Sequence, residues 1–196
     1  MPTDRDAQAG AHIVDNVSPE ANIVLGIKEV PIADLVPNTT YAFFSHTHKG
    51  QSYNMPLLSA MLDSGSRFID WELLTDDHGN RTTAFGWQAG FAGMADGLSQ
   101  FATKALAQGF ATPFLNLPRP YMVRTVQEMK ALLKRVGTNL QETGTPKAMG
   151  PVIIVISGKG RVGMGARAVL EELPTTWVKA DQLEQTATNY SESIAL

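Results

Sequence analysis

The chain has 196 residues, of which 43% are hydrophobic, and a formal net charge of −3 at pH 7. This content suits a globular chain with one core or two small ones, and a charge so small and evenly mixed argues against a nucleic-acid partner. The absence of cysteine excludes disulfide bonds, thiolate metal ligands and a cysteine nucleophile. The sequence shows neither a secretory signal nor an apolar run of about 18 residues, so we expect no membrane partner.

Short apolar runs separated by turn residues dominate the first half of the chain. They predict strands at residues 23–27, 41–44 and 67–74, a helix at 55–62 that ends at Gly65, a further edge strand at 12–14 and a hairpin tip at 76–81. Strands that alternate with helices favour an α/β fold, Rossmann-like and three-layered, with parallel sheets.

A helix with a glycine face is predicted at residues 86–108. Its apolar stripe is formed by Phe91, Met94, Leu98 and Phe101, and its glycine face by Gly86, Gly90, Gly93 and Gly97. Each glycine destabilises a helix interior by about 1 kcal/mol relative to alanine, so we expect something to pack very close to that face. The sequence leaves two partners open, the sheet of the same domain or a bound ligand.

A glycine loop lies between a predicted strand at 152–156 and a predicted helix at 166–173, and it has the GxGxxG pattern. In this pattern Gly158 permits the tight turn, Gly160 lets a pyrophosphate approach the backbone, and Gly163 lets the helix pack against the strand. The order of strand, loop and helix predicts a dinucleotide site, with a plain glycine turn as the alternative.

The residues around the loop bear on the cofactor. Arg161 and Val162 lead into the helix, whose N-terminus would present N–H groups and a partial positive charge to the phosphates. A second predicted strand, 175–179, is followed by Asp181, close to the spacing of about 20 residues at which a carboxylate binds the adenosine ribose and favours NAD. Lys179 could instead pair with the 2′-phosphate of NADP, and Asp181 could be an ordinary solvated acid, so NAD and NADP both remain open.

Prolines at 113, 118 and 120 mark a connection, after which residues 123–140 form a predicted amphipathic helix. We therefore predict three parts. Residues 1–117 form part of a substrate domain, residues 118–150 form an interdomain connection and helix, and residues 151–196 form the first βαβ unit of an incomplete NAD(P)-binding domain.

Titratable side chains follow the predicted strands, where ligands bind in open parallel sheets. Lys28 ends an apolar run, and partial desolvation of its amine would ease proton exchange near neutral pH; alternatively, it pairs with Glu29 at the surface. His46 comes first after its strand, which makes it a better acid or base than His48, which could simply be exposed.

A carboxylate and a second imidazole complete the candidate chemistry. Glu72 could set the charge of Lys28 or His46, or could be, with Asp70, an ordinary residue on one face of its strand. His46 and His48 could both bind a metal, but the sequence offers no clear third ligand, so no metal is predicted.

Several segments together resemble the L-lysine-forming saccharopine dehydrogenases, most closely the lysine-ketoglutarate reductase half of the aminoadipic semialdehyde synthases, within the alanine dehydrogenase and transhydrogenase superfamily. The segments are GIKEVP at 26–31, TYAFFSHTHKGQSYNMPLL at 40–58, FIDWELLTDDHGNRTTAFGWQAGFAGM at 68–94 and GPVIIVISGKGRVGMGA at 150–166. The resemblance implies an oxidoreductase of lysine metabolism. It would condense lysine with 2-oxoglutarate and reduce the imine with NAD(P)H to saccharopine, or run the reaction backward.

The resemblance also implies roles for single residues. Lys28 and His46 match the acid and base pair of the family, and Glu72 matches the carboxylate beside them. Lys49 and Arg81 are assigned to the substrate pocket, where cations would hold the carboxylates of saccharopine.

The sequence departs from the family at both ends. The family begins with an upstream basic motif and continues past the second strand of the cofactor domain, and residues 186–196 no longer resemble it. We therefore expect a fragment, in which two strands and one helix cannot cover both faces of a sheet; this argues against stable dinucleotide binding by the chain alone.

Other readings remain open. The chain could be a truncated, inactive binding or regulatory partner, or an alanine dehydrogenase-like enzyme. It could form a homo-oligomer or be complemented by a fuller subunit. The compartment is expected to be cytoplasmic or mitochondrial, with no targeting signal in this chain.

Overall fold

The computed structural model describes residues 4–17 and 19–193, in two compact units, of which one ends at Ala84 and the other begins at Phe85. The helices are α1 (Asp4–Gln8), α2 (Met55–Asp63), α3 (Gly86–Ala107), α4 (Val126–Thr143), α5 (Arg161–Leu170) and α6 (Leu183–Ser193), and the strands are β1 (Ile23–Leu25), β2 (Thr40–Phe43) and β3 (Arg67–Asp70). The predicted boundaries at 117 and 150 both fall inside the second unit, and the division into functional domains stays a prediction.

The first unit is built on a parallel sheet in the order β1-β2-β3. Its central strand β2 is rich in aromatic residues, and Tyr41 and Phe43 are completely buried. They form a core with Leu57 and Met61 of α2. The parallel sheet with its connecting helix confirms the predicted α/β class.

Two local predictions in this unit had different outcomes. The hairpin tip is confirmed by an antiparallel bridge between Thr75 and Arg81. The edge strand predicted at 12–14 is wrong, because these residues form no strand. Ile13 and Val14 are largely exposed, so this short apolar run has no core to pack against.

The second unit has a helical core. It is formed by Phe91, Ala95, Leu98, Ala102, Phe114, Leu117, Met129, Leu133, Val136, Val169 and Leu170. The predicted helices at 86–108 and 123–140 are confirmed as α3 and α4, and α4 begins three residues later than predicted because Thr125 caps it by accepting a hydrogen bond from the Glu128 amide. None of the helices in the described ranges is long and apolar enough to cross a membrane.

The glycine face of α3 packs against a helix of the same unit. A Cβ atom at Gly90 would lie 1.9 Å from the Val162 carbonyl oxygen, and one at Gly165 would lie 2.0 Å from the Trp87 carbonyl oxygen. The expected close partner is therefore the backbone of α5, rather than a sheet. A Cβ atom at Gly93 or Gly97 would meet no atom within 4 Å, so only part of the glycine face is used.

The two strands predicted around the glycine loop are wrong. Residues 152–156 and 175–179 form no strand, and α5 begins at Arg161 rather than at 166. A strand requires ladder hydrogen bonds to a neighbour. Residues of both segments line a cavity of about 280 Å³.

Candidate functional site

Three titratable side chains meet at one edge of the sheet. Lys28, His46 and Glu72 follow the carboxyl ends of β1, β2 and β3. Because the three strands are parallel neighbours, these ends lie side by side, as at the ligand sites of open parallel sheets. The Nζ atom of Lys28 lies 3.4 Å from Nε2 of His46, and Nδ1 of His46 lies 3.3 Å from Oε1 of Glu72.

A tight turn places Lys28 at this edge. The amide of Gly26 donates to the Ala42 carbonyl at 2.9 Å, and the Trp71 indole donates to the Gly26 carbonyl at 2.8 Å. A Cβ atom at position 26 would lie only 2.8 Å from the Lys28 carbonyl oxygen, so the turn requires glycine. The expected desolvation of Lys28 is wrong, because the residue lies beyond the last ladder residue of an edge strand and is exposed.

The backbone of His46 adopts a left-handed conformation. Its φ is 54°, which is uncommon outside glycine and destabilises a residue by about 1–2 kcal/mol. Before His46, the side-chain amide of Asn54 donates to the Ser45 carbonyl at 2.7 Å. After His46, the backbone amide of Thr47 donates to Ser45 Oγ at 3.1 Å. Both peptide groups that flank His46 are therefore held by buried partners.

A buried carboxylate joins this turn to the next strand end. Asp70, the last residue of β3, is 7% exposed and accepts a hydrogen bond from Ser45 Oγ at 2.6 Å. It also accepts from the backbone amide of Glu72 at 2.9 Å. Asp70 thus connects the His46 turn to the backbone that carries Glu72.

A second imidazole shares the Glu72 carboxylate. Nδ1 of His48 lies 3.0 Å from Oε2 of Glu72, while His46 contacts the other oxygen. Ligand atoms of His48, Asp70 and Glu72 also lie within 4.8 Å of one another, which is close enough to hold a metal ion. The hydrogen bonds from Ser45 and the Glu72 amide already satisfy the Asp70 carboxylate, so this grouping is accounted for without a cation.

The arrangement specifies how protons can be exchanged. An ammonium group has no lone pair, so a charged Lys28 donates to Nε2 of His46. A neutral His46 ring then carries its proton on Nδ1, the nitrogen that faces the Glu72 carboxylate. The site can therefore pass a proton between an amine and an imidazole beside a fixed negative charge.

The two predicted substrate cations lie in turns. Lys49 is exposed in the turn after His48, where its amide donates to the Gln51 side chain at 3.1 Å. Arg81 lies at the hairpin tip, with Nη2 3.5 Å from the Thr83 carbonyl oxygen. Their assignment to a substrate pocket stays a prediction.

The three glycines of the glycine loop have different surroundings. A Cβ atom at Gly158 or Gly160 would meet no atom within 4 Å, which leaves the backbone open to a ligand. A Cβ atom at Gly163 would lie 2.0 Å from the Gly158 carbonyl oxygen, so the third glycine is required for the loop to close. Gly160 is the N-cap of α5, and the first turn begins with Arg161. The loop and helix start therefore fit the phosphates of a dinucleotide.

The two residues proposed to determine the preference for NAD or NADP lie in a short turn after α5. Asp181 lies in the 3-10 helix Ala180–Gln182 and is exposed, and Lys179 is its N-cap. Neither the ribose role of Asp181 nor the phosphate role of Lys179 is tested by these contacts.

The sequence analysis missed the supporting residues of the first site. Ser45 and Asp70 were given no role, and His48 was described as simply exposed, although its imidazole contacts Glu72. One signal was present, since Asp70 lies on the predicted strand 67–74 and Ser45 directly follows the predicted strand 41–44. The hydrogen bond between them depends on the register of β2 and β3, which the sequence does not reveal.

Comparison with known proteins supports the resemblance. Residues 3–92 match the family described as alanine dehydrogenase/PNT, N-terminal domain. The chain is 39% identical over 176 residues to an alpha-aminoadipic semialdehyde synthase of Arabidopsis thaliana, which covers 90% of this chain and 16% of the relative. It is 36% identical over 182 residues to the mitochondrial alpha-aminoadipic semialdehyde synthase of Bos taurus, covering 93% of this chain and 20% of the relative.

A shorter relative gives the same result. Identity to a saccharopine dehydrogenase [NAD(+), L-lysine-forming] of Candida glabrata is 34% over 178 residues, which covers 87% of this chain and 45% of the relative. The chain thus spans less than half the length of each of these proteins. The predicted resemblance to lysine-forming saccharopine dehydrogenases and to aminoadipic semialdehyde synthases is confirmed.

Proposed function

Because this chain is related to the alpha-aminoadipic semialdehyde synthases and the L-lysine-forming saccharopine dehydrogenases, we propose that it is part of an oxidoreductase of lysine metabolism. The reaction would join the ε-amine of lysine to 2-oxoglutarate with loss of water and reduce the product to saccharopine, or run in reverse. The observation that carries this proposal is the line of contacts from Lys28 through His46 to Glu72 at the carboxyl ends of three parallel strands.

The proposed chemistry assigns proton transfers to these three side chains. The ε-amine of lysine must lose a proton before it attacks the keto carbon, and the oxygen that leaves as water must gain protons. Lys28 at Nζ and His46 at Nε2 can hold and transfer those protons, because their nitrogen atoms are within contact distance of each other. Glu72, whose Oε1 lies 3.3 Å from Nδ1 of His46, would orient the imidazole ring.

The proposed cofactor is NAD or NADP, which supplies the hydride when bound. Gly158, Gly160 and Gly163, together with Arg161 and Val162 at the start of α5, would hold the pyrophosphate through backbone N–H groups. The Candida glabrata relative is named for NAD(+). An adenosine ribose bound by Asp181 would favour NAD here too, whereas a phosphate bound by Lys179 would favour NADP.

The proposed substrates carry several carboxylates, which require cations. We assign Lys49 and Arg81 to hold them, as exposed basic side chains in turns of the unit that contains the acid and base pair. Three relatives are named as mitochondrial proteins, and a mitochondrial or cytoplasmic location is proposed for this chain. Assembly as a homo-oligomer, or with a fuller subunit, is proposed as well.

The test is turnover by the 196-residue chain with lysine, 2-oxoglutarate and NADH or NADPH, followed by the loss of nicotinamide absorbance. Lys28→Met and His46→Gln should each lower turnover by about 10²- to 10⁴-fold, the usual contribution of acid–base catalysis, with the fold unchanged by circular dichroism. His78→Gln, at the exposed hairpin tip, is the matched control and should keep the full rate. A near-normal rate in His46→Gln would remove that residue from the mechanism.

Residues 152–156 and 175–179, on both sides of α5, form no strand in the described part of the chain, and this favours a second candidate function. In it, the chain is catalytically inactive and acts as a binding or regulatory partner of a fuller subunit. Absence of turnover with either cofactor, together with co-purification of the chain with a full-length relative, would favour this candidate. Turnover with pyruvate and ammonia in place of lysine and 2-oxoglutarate would instead favour an alanine dehydrogenase-like enzyme.

A further inference from the structure

The left-handed turn at His46 is held by a closed set of buried hydrogen bonds. Ser45 is 1% exposed, and its hydroxyl donates to Asp70 Oδ2 at 2.6 Å. Since that bond uses its single hydrogen, the Thr47 hydroxyl donates to Ser45 Oγ at 2.6 Å, and the Thr47 amide donates to it at 3.1 Å. The oxygen therefore makes one donated and two accepted bonds, which is its full capacity.

The same set of bonds reaches the carboxylate that faces His46. Asp70 Oδ1 accepts from the Glu72 amide at 2.9 Å, while Oδ2 accepts from Ser45. One buried side chain thus sets the position of two strand ends, one carrying the imidazole and the other carrying the carboxylate. None of these hydrogen bonds of Ser45 and Asp70 involves the Lys28 amine or either imidazole.

We infer that Ser45 and Asp70 are positioning residues, which hold His46 in its left-handed turn between Lys28 and Glu72 and thereby select the Nδ1-protonated form of its neutral ring. The catalytic value of this selection rests on the proposed function, whereas the selection itself does not. Without the hydroxyl, the turn loses the bond to the Thr47 amide, and His46 can relax toward negative φ. That relaxation turns the ring away from the Lys28 amine and the Glu72 carboxylate.

The test is the protonation pattern of the imidazole nitrogens, measured by long-range ¹H–¹⁵N NMR on the full 196-residue chain without substrate, above the pH at which the rings are charged. His46 in the unaltered chain should show its proton on Nδ1. Ser45→Ala should change this to the tautomer mixture of a solvated ring, which the exposed His78 provides as an internal reference. Ser45→Thr retains the hydroxyl and should retain the Nδ1 form.

Two further variants separate positioning from general loss of stability. Thr39 is 3% exposed, and its hydroxyl donates to the Ala21 carbonyl at 3.3 Å before the start of β2. Thr39→Val therefore removes a partly buried hydrogen bond at the opposite end of the same strand, and it should leave the His46 signals unchanged. If Ser45→Ala does not fold, Asp70→Asn takes its place, because the asparagine amide keeps one acceptor oxygen. In this variant His46 should lose only part of its Nδ1-protonated form.

The outcomes divide as follows. A protonated Nδ1 that is lost in Ser45→Ala, kept in Ser45→Thr and kept in Thr39→Val supports the inference. An unchanged His46 signal in a folded Ser45→Ala variant, or in Asp70→Asn where Ser45→Ala is unfolded, would overturn it, as would an equal change in Thr39→Val. Since the measurement needs no turnover, an inactive chain would contradict the proposed function and leave the positioning result standing.

Discussion

Alanine at Gly90 should destabilise the second unit, because α3 and α5 approach there through backbone atoms. The new Cβ atom would lie 1.9 Å from the Val162 carbonyl oxygen and 2.7 Å from its carbonyl carbon. Backbone cannot escape by changing rotamer, so the helices must separate by more than about 1 Å to reach ordinary contact distances of about 3.5 Å or more. Overpacking of this kind destabilises by about 3 kcal/mol at its upper range, and the helix propensity of alanine recovers about 1 kcal/mol, so we expect a net loss of about 2 kcal/mol.

The same helix supplies the control for this prediction. Gly93 and Gly97 are exposed, and a Cβ atom at either would meet no atom within 4 Å. Gly93→Ala and Gly97→Ala should therefore stabilise the chain by about 0.5–1 kcal/mol. Urea unfolding followed by the helical circular dichroism signal measures all three variants. Equal stability of Gly90→Ala and Gly93→Ala would refute the close contact between α3 and α5.

Three further predictions concern stability. The ammonium of Lys130, 2.7 Å from Glu172, lowers the pKa of that carboxyl below its ordinary value of 4.5. The pair therefore stabilises the fold above this value and loses its effect as pH falls through the lowered pKa. Glu172→Gln should accordingly flatten the acid limb of a plot of unfolding midpoint against pH. The buried hydroxyl of Tyr41 accepts from the Val36 amide at 2.7 Å, and Tyr41→Phe should destabilise by about 1–3 kcal/mol in urea unfolding because that amide is left without a partner; no loss would mean that water replaces the hydroxyl. At His46, where φ is 54°, glycine should be more stable than alanine by about 1 kcal/mol, and equal unfolding free energies of the two variants would contradict the left-handed turn.

Local patterns in the sequence determined most of the secondary structure and the composition of the site. The apolar, aromatic run at 41–44 predicted a buried strand. Helical spacing of apolar residues predicted α3 and α4, because that periodicity reflects which side of a helix is buried. The family resemblance grouped Lys28, His46 and Glu72 before any contact was known, and the ends of the predicted strands favoured Lys28 and His46 as site residues.

Tertiary structure decided which neighbours each element has. The run at 152–156 has the composition of a strand, yet strand formation depends on ladder bonds to another segment, and in the described chain it has none. The glycine face of α3 predicted that another segment packs close to it, but only the structure identified α5 as that segment. The backbone of α5 contacts α3 at Gly90, whereas no atom lies within 4 Å of a Cβ at Gly93.

The same distinction applies to the site. Sequence spacing cannot reveal that Asp70 lies beside Ser45, because that contact depends on the register between β2 and β3. Nor can it reveal the positive φ of His46, which follows from hydrogen bonds to residues distant in the chain as well as adjacent to it. Residue types and their order along the chain therefore determined the candidate chemistry, whereas long-range hydrogen bonds decided its geometry, since they form only when the strands are aligned.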